Sequence, residues 1–348
     1  MPDLHRENAS DPIEDLAGQI AWDDGGGTYL FTGQRGTGTS TERRRLRKLL
    51  RDQGCVVFLL DMSDYLFETE PIEIGDFLIT LMGALSDAVE KAHGQAPAQR
   101  SYWQRIADFL QTEVNLKEVD VKGMKFVLKE DLTFKRKIQA ASRGSVAALV
   151  RDARVFVRES LALVSERDGT GRKVVLIADS VERLRGLNAD GARKVFDSAV
   201  ALFSGNPDSL RFPGMHVVYS VLPCLSALTA NLSALYSSQM VFLASAHVFE
   251  APENGQHRQP CRAGLDAMRA MIERRHAAWR KVIAEDDLDR LARSTGGDFR
   301  DFFRLVFQCL VKARNPRCPC RYRRPRWSRS KMPCVARCCP SRTRTRTG

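Results

Sequence analysis

The chain has 348 residues, 43% hydrophobic and 28% charged, which is the balance of a globular protein long enough for one large core and a smaller one. Its formal net charge is +12, yet residues 315–348 hold eleven Lys/Arg and no Asp or Glu, so residues 1–314 carry only +1, the body is nearly neutral and the basic character belongs to the tail. No apolar window approaches a membrane span, and Met1 to Asp15 lack the apolar core of a signal peptide, so the expected partner set excludes the membrane and the expected compartment is the cytoplasm.

Residues 1–20 are expected to be a flexible N-terminus. Thr28–Thr32 reads as a short apolar strand running into Gly33-Gln34-Arg35-Gly36-Thr37-Gly38-Thr39-Ser40-Thr41. Thr41–Gln53 follows as a charged helix with Leu46, Leu49 and Leu50 on one face, stopped by Gly54. Cys55–Leu60 is a continuous apolar run, the pattern of a strand covered on both faces. Ile74–Lys91 has helical spacing. Val114–Ile138 breaks the pattern and reads as a hairpin inserted before a helix at Ala140–Glu166. Val174–Ala178 is a second buried strand ending at Asp179, Ala189–Phe203 a helix, His216–Val221 a third such strand and Val241–Leu243 a fourth. Glu250–Arg262 is polar and linker-like, and Gly264–Ala313 is helical in at least three pieces. Strands alternating with helices predict an α/β fold with a parallel sheet.

The glycine stretch matches the spacing G-x-x-x-x-G-K-[ST] of a nucleotide-phosphate loop, with Thr39 where the lysine belongs. Backbone N–H groups of such a loop wrap phosphates, helped by the positive end of the following helix. The lysine reaches the β- and γ-phosphates, and the next hydroxyl, here Ser40, takes Mg²⁺. The alternative is a Gly/Thr-rich turn between strand and helix. Asp179, at a strand end, can hold Mg²⁺ through water or cap the next helix. Glu182 is a candidate base to position an attacking water, or a solvated carboxylate. Arg300, in Gly296-Gly297-Asp298-Phe299-Arg300, is a candidate partner of a γ-phosphate or a surface arginine. Ser220, near a strand end, is a candidate γ-phosphate sensor, and Arg35 a partial substitute for the missing charge.

Taken together, Gly33 to Glu42, then Val174 to Leu184 with Asp179 and Glu182, then Gly296 to Arg300 resemble bacterial P-loop ATPases of the AAA+/STAND type, near the origin-recognition-like branch, over roughly residues 20–313. The resemblance implies a P-loop NTPase sheet flanked by helices over 21–250, with an insertion near 114–138, and a smaller helical lid domain over 264–313. It implies ATP and Mg²⁺ as cofactors, Gly33 to Ser40 as the Walker A loop extending to Thr41, Asp179 as the Walker B aspartate, and Ser220 and Arg300 as sensor candidates. The chain departs from the family at Thr39, and in having no acid directly after Asp179.

Losing one charge-stabilising donor costs about 10²–10³-fold in rate. The expectation is therefore an ATP-binding switch read by a protein partner, with weakened hydrolysis that Thr39→Lys raises. The alternatives are a catalytically degenerate interaction module and a nucleic-acid-associated ATPase. Residues 315–348 include Cys318, Cys320, Cys334, Cys338 and Cys339 among their arginines. They read as a segment with no selected role, as a basic arm making nonspecific nucleic-acid contact, or as a metal site with atypical cysteine spacing.

Overall fold

The computed structural model describes residues 11–34, 36–97, 100–114, 129–184, 189–229, 231–250 and 258–314. Arg35, the middle of the expected insertion and the basic tail lie outside the described residues. Among the described residues five strands form one parallel sheet: β1 (Thr28–Gly33), β2 (Val56–Asp61), β3 (Val174–Asp179), β4 (Met215–Ser220) and β5 (Val241–Leu243), in the order β2-β3-β4-β1-β5. The expected strands agree within one residue at each end. The reason is visible in the alternation along each strand. Tyr29, Phe31, Val57, Val175, Ile177 and Val218 enter one apolar cluster, while Leu30, Phe58, Leu176, Ala178, Val217 and Tyr219 enter another. With both faces covered, every position of β1, β3 and β4 is buried, so apolar residues fill the middle of each strand and the buried polar ones, Thr28, Thr32, Asp179, His216 and Ser220, lie at or next to the ends.

Helices α1 (Pro12–Trp22) and α2 (Thr39–Asp52) supply the first cluster through Ile13, Leu16, Ile20, Leu46 and Leu50. The opposite cluster takes α3 (Ile74–His93), α4 (Tyr102–Val114), α5 (Leu132–Arg143), α6 (Val146–Asp168) and α7 (Ala189–Gly205).

Two expectations are corrected. The segment expected to be flexible through residue 20 contains most of α1, which is capped by Asp11, whose side chain accepts from Ile13 N at 2.9 Å, with Pro12 in the first turn. Its apolar residues recur at helical spacing and close one face of the sheet. The described part of the expected hairpin is helical instead. Asp131 caps α5 by accepting from Thr133 N and Phe134 N at 2.8 and 3.1 Å, and Phe134 and Ile138 are buried four residues apart.

The chain divides into two compact units. The sheet unit takes the described residues within Ser10–Gly33 and Thr39–Leu243, and the second takes those within Gln34–Gly38 and Ala244–Gly348. In the second, α8 (Arg262–Arg275), α9 (Glu285–Ser294) and α10 (Phe299–Arg314) enclose their own core of Leu265, Met268, Trp279, Leu288, Leu291 and Phe302.

Candidate functional site

In the sheet unit, β1 lies between β4 and β5, while the next strand in sequence, β2, lies at the far edge. Connections leaving the C-terminal ends of β1 and β4 therefore run in opposite directions, which opens the crevice where parallel α/β sheets bind ligands. The glycine stretch begins at that end of β1. Gly33 is required there by close approach: a Cβ at this position would lie 2.5 Å from Thr39 Cγ2 and 3.0 Å from the Leu243 carbonyl oxygen. Thr39 and Ser40 open α2 and are half-buried, and Thr41 is exposed.

The dominant charge here is Arg43, which the sequence reading passed over. Helical side chains lean toward the preceding turn, so Arg43 reaches back beside Ser40 with its guanidinium only 1% exposed. Its Nη2 donates to Glu182 Oε1 at 3.0 Å, approaches Ser40 Oγ at 3.4 Å and forms an ion pair with Asp179 Oδ1. The guanidinium carbon lies 5.5 Å from the centre of the Phe31 ring, within cation–π range. Nε of Arg43 and Oε2 of Glu182 are buried without a hydrogen-bond partner among the described residues. The signal was present in the sequence: Arg43, Leu46 and Leu50 share one face of α2, so the arginine occupies a core-facing position of an apolar stripe.

Asp179 ends β3 in register with Asp61 at the end of β2. Burial pushes its carboxyl above the ordinary range. Arg43 opposes this, and the nearby Glu182 and Asp61 carboxylates add to the rise. Ser180 adopts a left-handed backbone, φ 71°, which is uncommon for a residue other than glycine. This turn leads directly into the short 3₁₀ segment Val181–Arg183, from which Glu182 meets the same guanidinium as Asp179. Ser220 is fully buried at the end of β4, and its Oγ accepts from Val181 N at 3.0 Å. Its hydroxyl thus tethers the turn that carries Glu182.

In the second unit, Gly36 and Gly38 have φ of 91° and 89°, values that glycine adopts without penalty. Gln34 is exposed, and its carbonyl accepts from Thr37 N at 3.3 Å and Thr37 Oγ1 at 2.7 Å. The Gly36 carbonyl accepts from Phe299 N at 3.2 Å, and a Cβ on Gly36 would lie 2.2 Å from both carboxylate oxygens of Asp298. Asp298 also caps α10, accepting from Asp301 N at 2.8 Å. Arg300 is exposed in the first turn of that helix.

The residues expected to hold Mg²⁺, Ser40 and Asp179, do not fit the ion. Both face the guanidinium already, and among the described residues no three His, Cys, Asp or Glu side chains converge as a metal-ligand set. Two like unit charges 4 Å apart repel by about 4 kcal/mol at an effective dielectric of 20, and a dication doubles that. An ion sharing the Asp179 carboxylate with Arg43 meets a repulsion of this size, set against its attraction to that carboxylate.

No family model matches the chain, and no curated protein matches it. Among solved structures, the chain is similar to the Drosophila ORC bound to poly(dA/dT) DNA and Cdc6, at 12% identity and a TM-score of 0.36 over 86% of this chain. It spans 37% of that protein's length. No helix among the described residues is long and apolar enough to cross a membrane. The architecture itself is that of an α/β protein: a parallel sheet covered on both faces, with a glycine turn leading from β1 into α2.

Proposed function

We propose that this chain is an ATP-binding protein of the P-loop type that acts as a nucleotide-dependent switch with hydrolysis slowed by orders of magnitude. The observation that carries the reading is the pairing of a glycine turn at the switch point of a parallel sheet with Thr39 in place of the lysine. The backbone amides and the start of α2 supply phosphate affinity, and the missing ammonium removes a donor that stabilises the transferring phosphoryl group. A protein partner reads the bound state in the cytoplasm, and the basic residues after 314 add nonspecific nucleic-acid contact.

A fluorescent ATP analogue titrated against the full chain tests this. Saturable binding, strengthened about tenfold or more in Thr39→Lys, is the expected result. No binding by either protein refutes it.

One observation favours a second reading, a degenerate interaction module. The Thr37 amide and the Gly36 carbonyl are both engaged inside the second unit, and the Asp298 carboxylate packs on Gly36. An anionic group at a phosphate loop opposes an anionic ligand. Under this reading Asp298→Asn leaves the ATP analogue unbound.

A further inference from the structure

We propose that Arg43 is a built-in cation that makes this nucleotide site independent of divalent metal. The proposal rests on the nucleotide-binding reading above and concerns what neutralises charge there.

Three features of Arg43 support it. The guanidinium is anchored on Asp179, the carboxylate expected to hold a divalent ion, and on Glu182, the candidate base beside it, and also approaches Ser40, the hydroxyl expected to ligate the ion. It is held from below by Phe31 and is almost fully buried, so it is a fixed part of the site rather than a surface side chain that swings aside. Its Nε is a buried donor with no partner among the described residues, and Glu182 Oε2 is a buried acceptor in the same condition. Those two atoms leave the ion pair with unused hydrogen-bonding capacity beside the start of α2.

The chemical consequence concerns both the lysine and the metal. At Thr39 the chain has lost the cation that approaches phosphate from the loop. One helical turn later Arg43 places a cation on Asp179, the carboxylate expected to hold the metal. The substitution is not equivalent. An arginine bound to two carboxylates carries a single positive charge against two negative ones, so Asp179 and Glu182 serve as its counter-ions. They are not left to ligate a metal or to draw a proton from water. Binding then depends on backbone amides and the helix terminus, whose partial charges need no metal.

Two measurements on the full chain test this. In the first, the fluorescent ATP analogue is titrated in Mg²⁺ buffer and in EDTA. The expected affinities agree within about threefold, and a loss of about tenfold or more in EDTA overturns the proposal. In the second, Mn²⁺ is titrated without nucleotide and followed by EPR of the free ion. The unmodified chain is expected to take up no more Mn²⁺ than Asp179→Asn, whereas Arg43→Ala gains one equivalent that Arg43→Ala/Asp179→Asn loses. Stoichiometric Mn²⁺ on the unmodified chain that disappears in Asp179→Asn overturns the proposal, whether or not Arg43→Ala folds. The analogue failing to bind in either buffer sinks the nucleotide reading instead, and the Mn²⁺ arm still decides the role of Arg43.

Discussion

Replacing Arg43 by alanine is the most informative perturbation of the sheet unit. The guanidinium holds two carboxylates whose side chains are 11% and 19% exposed. At the 3.0 Å separation from Glu182, a unit-charge pair at an effective dielectric of 20 attracts by about 5 kcal/mol, partly offset by desolvation. Removing one partner of such a buried pair leaves uncompensated charge behind and costs about 3–5 kcal/mol.

The loss should also depend on pH. Burial already raises the Asp179 carboxyl, and without Arg43 it rises further. A carboxyl raised in the folded state contributes stability that is fully present below its unfolded value, ~3.9. That contribution is lost as pH rises through the folded value. The deficit of Arg43→Ala relative to the unmodified protein is therefore largest near neutral pH and narrows on acidification. Urea unfolding followed by far-UV circular dichroism at neutral and mildly acidic pH measures both effects. A cost below about 1 kcal/mol at neutral pH, or a deficit that widens in acid, would refute the reasoning. Arg43→Lys keeps a charge but loses the fork geometry, and falls between the two.

A second pH effect lies in α3. Burial raises the Asp76 carboxyl to about 6, against Lys135 Nζ at 3.5 Å, so Asp76→Asn should gain on the unmodified protein as pH rises from about 4 to about 6, by at most roughly 3 kcal/mol. A stability difference that stays flat over that range counts against the buried carboxyl. Ser220→Ala should lower stability by about 1–3 kcal/mol, because it strands the buried Val181 N–H. Unchanged stability with weakened binding of the ATP analogue would instead mark Ser220 as a phosphate sensor.

The strands were readable from the chain because a sheet covered on both faces makes the middle of β1, β3 and β4 apolar and keeps their polar residues at or next to the strand ends. The start of α1 was equally local, a capping Asp11 before Pro12 and an apolar period, and was overlooked because the neighbouring residues are acidic and polar. The glycine spacing and the threonine at position 39 also lie on the sequence itself. The pairing of Arg43 with Glu182, 139 residues away, does not. In a helix that reads Glu42-Arg43-Arg44-Arg45, the apolar period marks Arg43 as core-facing but does not say which carboxylates it meets.

Packing α2 on the sheet face that carries Val175 and Ile177 turns one side of that helix inward. It buries Arg43 beside the end of β3 and leaves Arg44 exposed. Periodicity can say which residues share a face, because that follows from helix geometry alone. Which carboxylate meets a buried cation depends on which strand lies under the helix, and only the closed tertiary structure decides that.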